Sequence, residues 1–247
     1  MSYKNIKILT DLHTHTVANT HAFSTVTENA TYASGIGMEA IAITDHAPQM
    51  PDGAHRWHFL NSVVLPREIN GVKILRGAEV NIIDVDGTID LNGPYLEALD
   101  WVTVSYHRFT CADVGTKNQR TQCYINHLSN PQIDMLGHCG NPVFDFDVGA
   151  VVDAAKEFDK VIEVNENTFN IRKDNVPLCE EIILACAEKG VKIAVNSDAH
   201  YHTHIGNYEK AIELLDKIQF PTELIVNLNW ERLKNHLDGR LNGKKFV

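Results

Sequence analysis

Cysteine is scarce in this chain. There are five in 247 residues, an odd number without the paired spacing of a disulfide scaffold, so no disulfide framework is expected and a reducing compartment fits. Cys179 and Cys186 lie seven apart on an expected helix, which is core spacing, and Cys111 and Cys123 read as small apolar fillers. Long apolar runs are missing as well: none reaches the length of a membrane span, and residues 1–5 do not resemble a secretory leader, so a soluble, cytoplasmic protein is expected. Linkers rich in Pro, Gly or Ser, charge blocks and low-complexity tracts are also lacking, which predicts one domain over 1–247. Basic residues are outnumbered, 22 Lys and Arg against 32 Asp and Glu, for a formal net charge of -10. That balance speaks against a membrane surface or a nucleic acid held by general attraction. Neither a glycine-rich nucleophile elbow nor a phosphate-binding P-loop motif is found.

Histidine is what the chain has instead, thirteen of them. Six of seven expected apolar strands place His, Glu or Asp at their carboxyl ends. A strand over 6–9 leads into Asp11-Leu12-His13-Thr14-His15; a second, over 39–46, ends in Asp45-His46; a third, 72–79, ends in Glu79. A fourth over 99–107 ends in His107, a fifth over 133–138 in His138, and the seventh, 191–198, ends in Asp198 with His200 just beyond. The sixth, 160–165, closes on Asn165-Glu166-Asn167. Helices are expected over 30–34, 117–128, 148–158, 178–189, 208–215 and 230–237. Strands alternating with helices predict an α/β fold with a parallel sheet, and in such folds function collects at the carboxyl ends of the strands.

Two imidazoles two residues apart at a strand end supply two metal ligands at little ordering cost. The candidate ligands are His13, His15, His21, His46, Glu79, His107, His138, Asp198 and His200. A catalytic zinc takes about three protein ligands, so nine with one shared carboxylate suit three divalent ions, zinc first, with manganese or iron as alternatives. Cys139 adjoins His138 but faces the other way along a strand and is not counted.

This set resembles the PHP (polymerase and histidinol phosphatase) family. Its pattern of His-x-His, Asp-His, Glu, two later histidines and Asp-x-His is matched here by His13-Thr14-His15, Asp45-His46, Glu79, His107, His138 and Asp198-Ala199-His200. Trp57-His58-Phe59 and Leu75-Arg76-Gly77 are similar to the YcdX-like phosphatase branch. The resemblance implies a distorted (β/α)7 barrel and a trinuclear centre. In it His13, His15, Glu79 and Asp198 hold one ion, Glu79, His107 and His138 a second, and His21, His46 and His200 the third, with Glu79 as the bridge.

Metal-bound water ionises near neutral pH, and clustered cations favour a phosphate monoester, so hydrolysis of a small phosphorylated substrate is the expected reaction. Glu79 and Asp198 are the expected catalytic carboxylates, Asp198 as proton donor on condition that its second oxygen is free, with a metal-bound water as the alternative donor. Arg56, in the long insertion 47–71, and Arg172, beside Lys173, are the candidates for gripping substrate, each against the alternative of a solvated loop arginine. Arg108 is expected to face outward, His202 and His204 to lie on the surface, His58 and His127 to be structural, and His236 to face solvent. Competing readings are an ester or amide hydrolase, for which a strand-end lysine is missing, a non-catalytic metal-binding protein, for which more cysteine is expected, and a module for DNA synthesis, for which the chain lacks basic charge.

Overall fold

The computed structural model describes residues 6–240. Residues 1–5, on which the absence of a leader was judged, lie outside the described residues. Among the described residues eight strands run in chain order: β1 Thr10–Thr14, β2 Ala40–Ile43, β3 Glu68–Ile69, β4 Val72–Ile82, β5 Trp101–Tyr106, β6 Met135–Leu136, β7 Val161–Asn165 and β8 Ile193–Asn196. Seven of them follow one path, β1-β2-β4-β5-β6-β7-β8, and every pairing along it is parallel. The short β3 pairs antiparallel with β4. Crossover helices cover the outside, the main ones being Val26–Gly35, Lys117–Ser129, Val148–Glu157 and Val176–Lys189, and Glu209–Lys217 follows the last strand. Two of these begin in capping boxes, Thr25 with Glu28 and Thr116 with Gln119.

The ends of the path meet. A parallel bridge joins Thr14 to Ala199, and the His15 N–H donates to the Ala199 carbonyl at 2.9 Å. Lower down, side chains replace the missing ladder: Asn227 Nδ2 donates to the carbonyls of Thr10 (2.8 Å) and Val195 (2.7 Å), and the Leu12 N–H donates to Asn196 Oδ1 (2.9 Å). The sheet is thus a nearly closed seven-stranded barrel, the distorted (β/α)7 architecture.

Because side chains alternate along a strand, residues two apart share the inner face. At the amino ends of the strands that face is apolar: Leu12, Ala40, Ala42, Leu75, Trp101, Met135, Val161 and Ala194 pack with Leu233 and Leu237 of the closing helix Trp230–Asp238. Towards the carboxyl ends it turns polar. Leu75 is followed on the same face by Glu79 and Asn81, Trp101 by Thr103 and Ser105, Val161 by Glu163 and Asn165, all of them buried. An apolar plug below therefore supports a polar layer at the mouth.

Four expectations need correction. The first strand is Thr10–Thr14, not 6–9, because buried Thr10 and Asp11 find partners in the Asn227 carbonyl and in Ser197. Glu79 does not end its strand: β4 runs on to Ile82, held by the parallel register that pairs Glu79 with Thr103 and Ile82 with Tyr106. The insertion 47–71 contains a helix, Arg56–Asn61, and the unforeseen β3. His236 does not face solvent freely; it is half-buried with its ring 6.3 Å from that of Trp101. The five cysteines are free and buried, and among the described residues no helix is long and apolar enough to cross a membrane.

Candidate metal centre

Glu79 sits at the middle of the mouth with no exposed surface. Around its carboxylate stand five imidazoles: His13 Nε2 at 3.2 Å, His15 Nε2 at 3.7 Å and His46 Nδ1 at 2.8 Å from Oε2, with His138 Nε2 at 2.7 Å and His107 Nε2 at 3.3 Å from Oε1. Asp198 Oδ1 lies 3.2 Å from His15 Nε2 and 3.6 Å from His200 Nδ1. His21, the most exposed member, reaches the group through His200, Nε2 to Nε2 at 2.8 Å. All nine residues singled out as ligands are therefore brought together.

Most of these close approaches are not hydrogen bonds. His13 Nε2, both ring nitrogens of His15, His46 Nδ1, Glu79 Oε2 and His107 Nε2 are buried and make no aligned hydrogen bond. Buried polar atoms left unpaired are costly. Several aimed at common points, with lone pairs converging rather than facing donors, are what a cation requires. Three groups have ligand atoms all within 4.8 Å of one another: His13, His15 and Glu79; His46, Glu79 and His107; and His15, His46 and His200. The donors are nitrogen and oxygen without sulfur, which fits a divalent ion such as zinc, manganese or iron.

The electrostatics prepare two of the rings for that use, whereas at His13 and His46 the surrounding carboxylates outweigh burial and raise the pKa. Burial, reinforced by His200 and His46, pulls the His15 pKa down to about 3. Burial likewise brings His107 down to about 4 against the pull of Glu79. Both rings are thus neutral, the form that ligates. Glu79 is held well below the usual carboxylate range: burial opposes this, and His46, His13, His107 and His138 outweigh it. Asp198 is also held well below its ordinary value, with Arg172 and His13 overcoming burial.

A second layer fixes the outward nitrogen of several rings, as metal-binding histidines generally require. His13 Nδ1 is 2.7 Å from Glu163 Oε1, His107 Nδ1 is 2.8 Å from Asn81 Oδ1, His200 Nδ1 is 2.9 Å from the Asp198 carbonyl, and His21 Nδ1 meets Asp52. Sequence reasoning missed Glu163, Asn81 and Asp52. For the first two a signal existed: each is a polar residue inside an apolar strand, on the same face as a residue at the mouth, Asn165 and Glu79 respectively. Asp52 lies in a loop and carries no such mark.

Two ligands sit on unusual backbone. His138 has φ 24° and Asp198 φ 55°, both in the left-handed region that non-glycine residues rarely adopt. Strain of this kind persists where surrounding contacts impose it. At His138 the imposing contacts are its own N–H donating to Glu163 Oε2 at 2.7 Å and the preceding Gly137, where a Cβ would lie 2.4 Å from Ser105 Oγ.

Of the two arginines expected to grip substrate, Arg172 reaches the cluster and Arg56 does not. Arg172 Nη2 donates to Asp198 Oδ2 at 2.9 Å, and Asn165 Nδ2 donates to the same oxygen at 3.2 Å. The second oxygen of Asp198 is therefore not free, and the condition for its acting as a proton donor is not met. Arg56 is exposed, with its guanidinium 6.0 Å above the Tyr95 ring. His58 Nε2 donates to Asp45 Oδ2 at 3.1 Å, His127 is buried, and half-buried His202 faces Ser24.

A protein-family model described as the PHP domain matches residues 11–219. A probable phosphatase of Clostridium novyi is 42% identical over 243 residues, spanning 98% of this chain and 99% of its own length. Another, from Photobacterium profundum, is 39% identical over 247 residues, 98% of each. Among solved structures, the histidinol phosphate phosphatase from Lactococcus lactis, complexed with zinc, L-histidinol and phosphate, superposes with a TM-score of 0.57 at 16% identity, covering 87% of this chain and 95% of that one. That last likeness bears on the fold. With a domain model matched over most of its length and relatives similar from end to end, the chain belongs to the PHP domain family.

Proposed function

We propose that the chain is a metal-dependent phosphatase that hydrolyses small phosphomonoesters at a centre of three divalent ions, zinc foremost. The observation that carries this reading is the wholly buried Glu79 carboxylate, ringed by five imidazoles of which only His138 hydrogen-bonds to it, while His13, His15, His46 and His107 approach it unpaired. His13, His15, Glu79 and Asp198 would hold one ion, Glu79, His107 and His138 a second, and His21, His46 and His200 a third. The cluster grouping leaves room for a variant of this division in which His15 also faces the third position and His46 the second. Divalent ions at these positions supply Lewis acidity, activating water and neutralising charge on a phosphoryl oxygen. The relatives named as probable phosphatases support the same chemistry.

The chain's own residues do the rest. Arg172, anchored through Asp198, presents its guanidinium to the mouth, where it binds and orients the phosphate. Asp198 accepts from Arg172 and Asn165 through Oδ2 and turns Oδ1 towards His15, so its role is positioning and ligation rather than proton donation. Glu163 and Asn81 keep His13 and His107 in the tautomer that turns Nε2 inward. Arg56 is left without a part in this reading.

Metal analysis of the purified protein, joined to a screen of phosphomonoesters, tests the proposal. Three equivalents of metal, phosphate release, loss on chelation and recovery on adding zinc or manganese are expected. Stoichiometric metal with no phosphate released from any ester would overturn it.

A further inference from the structure

Beside the centre the mouth opens into a trough of about 860 Å³, bordered on one side by His107, His138 and Arg172. Two features set it apart. Of the large apolar side chains among the described residues, Phe109 (78%) and Ile171 (72%) are the most exposed, and both line this trough. They come from separate loops. Phe109 follows β5, two residues past His107, and Ile171 follows β7, immediately before Arg172. Single exposed apolar residues need no explanation, but two from distant segments meeting in one concavity beside a reactive centre make a wall for a ligand.

The second feature is charge. Arg108 and Lys173, the chain neighbours of Phe109 and Arg172, also line the trough and are exposed. Neither forms an ion pair among the described residues, unlike Arg172, which is committed to Asp198. Asp174 is the one carboxylate in the lining. A local excess of unpaired cations on a chain of net charge -10 runs against the bulk charge and focuses anions at this spot.

We propose that this trough takes the organic half of the substrate, and that the preferred substrate is a phosphomonoester of a flat, apolar alcohol carrying a second anionic group. The phosphate goes to the centre, the apolar body rests against Phe109 and Ile171, and the second anion meets Arg108 and Lys173. The inference rests on the phosphatase reading above. Its chemistry is ordinary hydrolysis: water adds to phosphorus, the ester P–O bond breaks, and the alcohol leaves with a proton. The trough contributes recognition only.

The test compares zinc-loaded wild type with an Arg108→Ala/Lys173→Ala double variant on phenyl phosphate and 4-carboxyphenyl phosphate. Leaving-group reactivity is the same for both enzymes, so the change in the ratio of the two kcat/KM values isolates the trough. That ratio is expected to fall about tenfold in the double variant, the order of one good charge-assisted contact. A Phe109→Ser/Ile171→Ser variant is expected to lose several-fold in the ratio of phenyl phosphate to glycerol phosphate. Inhibition by 4-hydroxybenzoate, which needs no turnover, is expected to weaken in parallel with the first ratio. Hydrolysis of all three esters with unmoved ratios overturns the trough assignment and leaves the phosphatase reading standing. No phosphate release from any of them, with metal bound, overturns both.

Discussion

Glu163 and His13, 150 residues apart in the chain, share a 2.7 Å contact between Oε1 and Nδ1 with neither side chain exposed to solvent. The glutamate is itself held by Asn196 Nδ2 (2.9 Å), Asn165 Nδ2 (3.1 Å) and the His138 N–H (2.7 Å), so one carboxylate ties the His13 ring to the His138 backbone. Replacing Glu163 by Gln keeps an oxygen for His13 but removes the charge that makes the ring a better donor. Outer partners of this type generally contribute about 10–100-fold in metal affinity. Glu163→Gln is expected to lose that much, read by competition with a chelator of known affinity. Unchanged affinity would mean that the contact is only structural.

Arg172 makes the second prediction. Its guanidinium is one-third exposed and bonded to Asp198 Oδ2, an arrangement that leaves other N–H groups facing the mouth. Hydrogen bonds to charged partners are worth roughly 1.5–3 kcal/mol, or about 10–100-fold in kcat/KM. Arg172→Ala is expected to fall by that factor for every phosphomonoester hydrolysed. Arg172→Lys is expected to recover only part, since a point charge cannot hold Asp198 and a phosphate with one planar fork. Equal kinetics for the alanine variant would remove Arg172 from the binding site.

The clustered residues were legible because most of them stand at or near strand ends, where one short motif announces a position in space. His13, His46, His107 and His138 needed only the recognition of an apolar strand before them. Their partners were harder. Asn227 and Thr10 meet across 217 positions, and Ser197 and Asp11 across 186, so the pairing that shifts β1 towards the histidines depends on chain segments that no local pattern connects. Glu79 was read as ending its strand, because the continuation Val80-Asn81-Ile82 is held by β5 rather than by its own composition. The missing ladder between β1 and β8 is invisible in sequence for the same reason: two asparagine side chains stand in for it.

Gly137 gives a stability prediction. A methyl group there would meet Ser105 Oγ at 2.4 Å and Thr103 Cγ2 at 2.7 Å, both on the neighbouring strand and both buried. Relieving both contacts requires the two side chains to turn within a buried layer. Overpacking of this sort costs about 1–3 kcal/mol. Gly137→Ala is expected to lose stability in that range by chemical denaturation, and Ser105→Ala in the same chain to restore part of it by removing the closer atom. A neutral effect of Gly137→Ala would show that Ser105 and Thr103 make room at no cost.

His127 stands outside the ligand cluster and links stability to acidity. It is buried near the carboxyl end of the helix Lys117–Ser129, and its Nε2 makes no hydrogen bond. Burial pulls its pKa from 6.5 down to about 4, against a smaller opposing pull from Asp84. The folded state therefore keeps this ring neutral where the unfolded chain would protonate it. Above pH 6.5 neither state carries the proton and stability is unaffected. As the pH falls from 6.5 towards 4, the unfolded state alone binds it, and stability is lost across that window. At about 1.36 kcal/mol for each pKa unit, the loss approaches about 3 kcal/mol near pH 4. His127→Leu removes the titrating ring while keeping an apolar side chain in the site. Measured by denaturant titration of metal-free protein at several pH values, this variant is expected to have a shallower decline between pH 6.5 and 4 than the wild type. Parallel curves for the two proteins would assign the acid sensitivity to other groups.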